Sequence, residues 1–169
     1  MKKNHHRPDL IGEHKAGDAG QLILFVVFMG VWMADSLWLH KTTLLNDHVP
    51  LFVRIPLAAL ALTLSLILVF GSMRRIFGEQ REKPEIVRRG VYRVIRHPMY
   101  VSEILLYLSL IFLNLSLAAM IVLIPGILFL YAICRYEEKL LLNYFGETYR
   151  EYMKETPMWI PRIQKKGKK

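Results

Sequence analysis

The sequence predicts an all-α fold: a polytopic transmembrane helical bundle with a C-terminal hairpin and a cytoplasmic helical extension. Three observations predict it. The chain of 169 residues is 53% hydrophobic, with mean hydropathy +0.27, more apolar than a soluble domain of this length requires. Its apolar residues gather into runs at 22–39, 51–70, 98–113 and 117–133, near the length that crosses hydrocarbon, the third being short. The formal charge is +9, and the basic residues flank those runs, which points to anionic headgroups and away from nucleic acid.

Residues 1–20 are polar. His5 and His6 are metal-ligating types, but a solvated tail disfavours a closed site. The first span starts near Leu22, late and too long for a signal core. Trp32 and Trp38 fit an interfacial belt, and Asp35 beside them is expected to face protein or headgroups, since a carboxylate against lipid is costly. The second span runs from Leu51 to Phe70 and is ended by Gly71. Arg54 and Pro56 lie in its first turns, where arginine can snorkel and proline does little damage.

A basic loop, 72–98, follows, broken by Pro84 and Gly90. The third span starts at Pro98 and carries Glu103, so its first turns should line a polar cavity. After a tight turn at 114–116, Pro125-Gly126 should bend the fourth span. These two spans make an antiparallel hairpin. The helical pattern continues to Gly146, and an amphipathic piece from Glu147 to Lys154 is stopped by Pro157. Trp159-Ile160-Pro161 resembles an interfacial anchor ahead of a lysine tail. The chain thus divides into a tail with two spans, 1–71, and a second half, 72–169, that carries the polar clusters. Lys and Arg concentrate in 1–20, 72–98 and 135–169, which places both termini and those clusters on the cytoplasmic side of a multi-pass integral membrane protein. The single cysteine, Cys134, excludes an internal disulfide and offers no metal cluster, so no metal is expected.

Chemistry concentrates between Arg88 and Ser102. His97 precedes a proline and is pushed out of the helical region, while Pro98 suits a first helical position. The helix start offers unpaired amides and partial positive charge, to which Arg93, Arg96 and Tyr100 are added; this predicts a small polar pocket that prefers an anion. The hairpin sets this pocket beside residues 135–150. On the fourth helix Leu128, Tyr131, Arg135, Glu138, Leu142 and Phe145 share a face, where Arg135 and Glu138 are either a salt bridge or a site. Both are therefore candidate catalytic residues. Glu137 points about 100° from Glu138, so the two carboxylates need not serve one ligand group. No glycine-rich turn of the doubly wound nucleotide-binding folds occurs.

The stretch Gly90-Val91-Tyr92-Arg93-Val94-Ile95-Arg96-His97-Pro98-Met99-Tyr100 resembles the Gly-x-Tyr…Arg-His-Pro-x-Tyr motif of isoprenylcysteine carboxyl methyltransferases and their phospholipid N-methyltransferase relatives. Glu137-Glu138, Leu141, Phe145-Gly146, Tyr149, Tyr152 and Ile160-Pro161 are similar to the rest of that signature, so the likeness covers residues 88–163. Ser102 departs from it, standing where the family usually has glycine. The resemblance implies an integral-membrane enzyme that moves a methyl group from S-adenosylmethionine to a lipophilic small molecule or prenylated substrate among membrane lipids. It implies that His97 and Tyr100 contact the cofactor, that Pro98 shapes the wall and that Tyr92 closes the pocket; the departure at Ser102 leaves the pocket floor either tighter or differently bonded. Glu137 or Glu138 would hold hydroxyl or ammonium groups, with Arg96 supporting the fold. Carboxyl methylation of an isoprenylcysteine-type acceptor is the nearest reaction. The alternatives are N-methylation of phosphatidylethanolamine, a reductase with a similar membrane core and a nicotinamide cofactor, and a small membrane protein without chemistry.

Overall fold

The computed structural model describes residues 15–76 and 84–162. His5 and His6, the part of the basic loop with Arg81 and Lys83, and the terminal lysines lie outside the described residues. Among the described residues there are five α-helices: α1 (Lys15–Met33), α2 (Leu51–Ile76), α3 (Pro98–Asn114), α4 (Leu117–Phe145) and α5 (Glu147–Glu155). A wider π-helical turn, Ala34–Leu39, continues α1, and single 3₁₀ turns lie at Leu44–Asp47 and Gly90–Arg93. There is no strand among the described residues, and the all-α expectation holds.

Among the described residues three helical segments are long and apolar enough to cross a membrane: Gly17–Leu39, Leu51–Ile76 and Leu117–Phe145. α3, expected as a span of its own, is apolar but has 17 residues. At about 1.5 Å per residue it covers roughly 25 Å, short of the hydrocarbon thickness of about 30 Å.

The bundle is held by named pairs. α2 and α3 run antiparallel: Ser65 Oγ donates to the Ser102 carbonyl at 2.7 Å near one end, and Arg54 Nη1 donates to the Leu113 carbonyl at 2.9 Å near the other. α1 lies antiparallel to α4 and parallel to α3. Phe28 stacks on Tyr107 with ring centres 4.3 Å apart, and Trp32 Nε1 donates to the Leu110 carbonyl at 2.9 Å. Phe28, Tyr107, Ile111, Ala119 and Leu123 form the core among these three helices. The expected α3–α4 hairpin is antiparallel, since Ile111 packs with Ala119 while Tyr100 packs with Leu130 and Cys134. Its helices are nevertheless not each other's main neighbours: α3 packs most extensively on α2, and α4 on α1.

Several local expectations are corrected. α2 does not stop at Gly71 but continues to Ile76. A Cβ on Gly71 would come 2.8 Å from Val91 Cγ1, so this glycine serves close approach of the following loop and does not end the helix. α4 is helical through Pro125-Gly126, and a Cβ on Gly126 would lie 2.9 Å from Leu24 Cδ1, so that glycine lets α1 approach. Arg54 does not snorkel. It is 8% exposed and turns inward, bonded to Asn46 and to Leu113. Trp159 is not a free anchor: its Nε1 donates to Cys134 Sγ at 3.4 Å and its ring meets Tyr131 edge-on, covering α4.

Asp35 faces protein, one of the two settings expected for it. The π-helical turn buries both Asp35 and Ser36. The Asp35 carboxylate accepts from Thr42 N at 3.0 Å, Thr42 Oγ1 at 2.5 Å and Ser116 Oγ at 2.6 Å. Thr42 in turn receives the amides of Leu117 and Ala118, and Ser116 receives that of Ala119. The first amides of α4, which no helical carbonyl can reach, are thus satisfied by Thr42 of the link after α1 and by the cap residue Ser116.

Candidate functional site

The opposite end of α3 is built by its own sequence signal. His97 takes φ −122° and ψ 62°, Pro98 opens the helix, and the imidazole makes no capping bond to the backbone. The amides of Arg96 and His97 instead donate to the carbonyls of Pro157 (2.9 Å) and Met158 (3.2 Å), so the segment after α5 runs alongside the loop as a short backbone clamp. α5 presents Tyr149 and Tyr152 inward, both buried. Tyr152 hydroxyl donates to the Tyr92 carbonyl at 2.5 Å, and the Arg88 guanidinium lies over the Tyr152 ring, 5.4 Å from its centre. Burial raises both phenols above the ordinary tyrosine value, so they remain neutral donors.

Within this frame His97 sits between two carboxylates. Its Nδ1 is 3.6 Å from Glu137 Oε2 and its Nε2 is 3.4 Å from Glu138 Oε1. The Nε2 contact is within ion-pair range but not aligned as a hydrogen bond, leaving that buried nitrogen without one. Glu138 is 1% exposed. Arg96 grips its Oε1 through Nε (2.8 Å) and Nη2 (2.6 Å), while Arg96 Nη1 donates to the carbonyls of Met153 and Thr156. All three nitrogens of that guanidinium are thus bonded. Glu137, with 18% of its side chain exposed, accepts from the Tyr100 hydroxyl. The Tyr100 ring lies 5.8 Å from that of His97.

The two clusters therefore meet as the hairpin predicts, with one correction. Both carboxylates lie within 3.6 Å of the His97 imidazole. The guanidinium groups of Arg96 and Arg135 lie against Glu138 in the same space. The shared face on α4 is not the buried one. Leu128, Tyr131 and Arg135 are exposed, and the inward stripe reads Leu123, Gly126, Leu130, Cys134, Glu138. Arg135, 52% exposed, reaches Glu138 Oε2 with Nη1 at 3.4 Å from outside.

Of the remaining candidates, Pro98 is buried at the wall and Tyr92 is half-buried, its carbonyl used by Tyr152. Ser102 is buried on the α2 side: its hydroxyl donates to the Met99 carbonyl at 2.6 Å and its carbonyl accepts from Ser65. It is not brought to the carboxylates. Sequence reading gave Arg96 a supporting role, and the structure makes that role specific as the anchor of Glu138. The carbonyls of Met153, Thr156, Pro157 and Met158 were missed, because a backbone acceptor leaves no mark in the side-chain pattern.

A protein 36% identical over 84 residues is the cobalt-zinc-cadmium resistance protein CzcN of Cupriavidus metallidurans, with 49% of this chain and 38% of that one aligned. The chain thus spans well under half of that relative's length. The family model described as phospholipid methyltransferase matches residues 53–148, which include α3, α4, His97 and both acids. The chain belongs to the phospholipid methyltransferase family.

Proposed function

We propose that the chain binds S-adenosylmethionine at the His97–Glu137–Glu138 cluster and methylates a lipophilic acceptor that arrives from the bilayer. The cofactor supplies a methyl group on a cationic sulfur, open to in-line displacement. The residues present suit it in kind. Glu137 is a partly exposed carboxylate that already accepts from Tyr100 and borders the position of a hydroxyl or ammonium group, Arg135 is an exposed cation for a carboxylate, and His97 Nε2 is a buried nitrogen lacking an aligned partner. Arg96 fixes Glu138, so the imidazole is held without help from a ligand. Tyr100 and Trp159, both packed against α4, wall off water beside it. Positioning and exclusion of water then carry most of the rate.

The observation that carries this reading is the imidazole held between two acids, one anchored by Arg96 and the other bonded to Tyr100 at a partly exposed edge. It also bears on the acceptor. Glu138 is committed to Arg96 and Glu137 to Tyr100, so neither is an idle base. A carboxylate acceptor, such as that of a prenylated cysteine, needs none, whereas an amine must lose a proton. We therefore favour a carboxylate acceptor, with catalysis at the end of the bundle that carries the basic loop, on the cytoplasmic side. Phosphatidylethanolamine is the second reading, favoured by Glu103. That carboxyl is half-buried on the helix face of Tyr100, receives the Tyr107 hydroxyl at 2.6 Å, and is a base within the apolar bundle. The relative's name concerns metal resistance. Among the described residues no group of three or more His, Cys, Asp or Glu is placed to hold a metal, and we propose no metal chemistry.

Calorimetric titration of the detergent-solubilised chain with S-adenosylhomocysteine tests the site. Wild type should bind, and Glu137→Gln and Tyr100→Phe should each weaken binding by about 1–3 kcal/mol. Unchanged affinity in both variants overturns the assignment. Labelled methyl transfer to a prenylcysteine should have a flat pH profile above about pH 5, whereas transfer to an amine should rise as the amine deprotonates.

A further inference from the structure

α3 carries a further acid, Glu103, one turn beyond Tyr100. Tyr100, Glu103 and Tyr107 follow at steps of three and four and share one face of the helix. The Tyr107 hydroxyl donates to Glu103 Oε1 at 2.6 Å, and Tyr107 is itself fully buried and stacked on Phe28. One oxygen of the carboxyl is thus held in place. The other, Oε2, makes no hydrogen bond among the described residues, and the half-buried side chain does not seal it in. A carboxyl oxygen left open among apolar helices is costly unless something meets it.

The register of α1 on α3 indicates what meets it. The two helices run parallel, with Phe28 on Tyr107 and Trp32 bonded to the Leu110 carbonyl. Continued toward the end that holds the candidate site, the same offset sets Phe25 level with Glu103 and Gln21 level with Tyr100. Asp18 extends this stripe of α1, and its charge acts on the Tyr100 phenol. Phe25 shares a helix face with Phe28, yet Phe28 is buried and Phe25 is 41% exposed. The helices are therefore closed at Tyr107 and apart at Glu103, which leaves a seam open to the bilayer. An aromatic ring and an unbonded carboxyl oxygen line it, and Tyr100, the partner of Glu137, stands at its inner end. An acid and a ring face together suit a cation, and the cations that partition into a bilayer surface are ammonium groups on lipophilic molecules.

We propose that Glu103 is a specificity-determining residue: its Oε2 receives the ammonium group of a lipophilic molecule lodged in the seam between α1 and α3, with the Phe25 ring against the same nitrogen. The ammonium is that of an aminophospholipid or of a prenylated cysteine with a free amine. Glu103 lies about 4.5 Å along the helix axis from Tyr100, so a molecule held there has its head beside the His97–Glu137 cluster and its chain in the bilayer. That the molecule is the methyl acceptor rests on the function proposed above; that Glu103 selects an ammonium does not.

The test uses the full chain, stripped of lipid in dodecyl maltoside, and reads binding from the rise of the thermal unfolding midpoint with probe concentration. Dioctanoyl phosphatidylethanolamine and farnesylcysteine are each compared with their N-acetyl derivatives, which lack the ammonium. Within at least one pair the ammonium-bearing member should bind about tenfold more tightly. A preference within the first pair alone identifies the phospholipid, within the second alone the amino acid, and within both a site for either. Glu103→Gln should abolish the preference while binding S-adenosylhomocysteine as wild type does. Phe25→Leu, at an exposed position, should reduce the preference about threefold and decides the matter if the glutamine variant does not fold. Equal binding within both pairs, or an undiminished preference in either variant, overturns the proposal. Affinity for S-adenosylhomocysteine without the preference overturns this proposal and leaves the methyl transfer standing; the preference without that affinity does the reverse.

Discussion

Asp35 and Glu138 are both buried carboxylates on apolar helices, at opposite ends of the same bundle, and they are satisfied by opposite means. Asp35 receives only neutral donors, two hydroxyls and an amide, all from the turns it fastens together. Those hydroxyls then accept α4 amides, so the network closes on itself and nothing in it reaches outward. Glu138 is met by Arg96, His97 and Arg135. Behind it, Arg96 is tied to backbone carbonyls of the chain end; in front, Glu137 and Arg135 extend toward the surface. A carboxylate closed in by neutral groups fastens a turn. A carboxylate held by cations on one side, with ionisable groups left at the rim, provides a rigid back wall against which a polar ligand can sit.

Arg96→Ala breaks this contrast most severely. It leaves the Glu138 charge buried without its main partner and should cost about 3–5 kcal/mol of stability. Thermal unfolding in detergent would read the loss, and adding Glu138→Gln to the same chain should recover part of it by removing the stranded charge. A variant as stable as wild type would mean that Glu138 does not depend on Arg96. Asp35→Ala comes next. It strands the donors of Thr42 and Ser116 and should cost about 1–3 kcal/mol. Affinity for S-adenosylhomocysteine should stay at the wild-type value, because the Asp35 network does not touch the opposite end. A parallel fall in affinity and stability would show the two ends to be one cooperative unit.

The sequence carried the elements more clearly than their partnerships. Apolar runs of spanning length locate α1, α2 and α4, because hydrocarbon sets a length that composition reveals. They say little about which faces meet: a helix apolar all round has no polar stripe to mark its outside, so the α2–α3 pairing and the inward turn of Arg54 could not be read. The candidate site was more legible. His97, Tyr100, Glu137 and Glu138 come together because a two-residue link at Leu115 and Ser116 forces the start of α3 beside the end of α4. Ser102 was placed in the pocket by its position in a motif. One step beyond Tyr100 and Val101, the helix turns it toward Ser65 instead. The clamp of α5 and the residues after it was partly visible as Tyr149 and Tyr152, but its backbone carbonyls were not.

Arg135→Gln should have the smallest effect on stability and separates two roles for the rim. The guanidinium is mostly in water and meets Glu138 at 3.4 Å, a geometry typical of surface pairs that contribute about 0.5 kcal/mol or less. As a mere surface partner, its removal would leave both unfolding and ligand affinity unchanged, since Arg96 still neutralises Glu138. As the cation that meets an anionic group of a ligand resting on the cluster, its removal should leave unfolding unchanged while weakening S-adenosylhomocysteine by about 1 kcal/mol, an effect that shrinks as salt is raised. Arg135→Lys should restore much of that loss, because an exposed contact depends on charge more than on the planar fork. Arg96→Lys should not restore its own site, where Nε and Nη2 both hold one carboxylate oxygen. The lysine pair therefore reads out, on two arginines that contact the same glutamate, which side of it is structure and which faces a ligand.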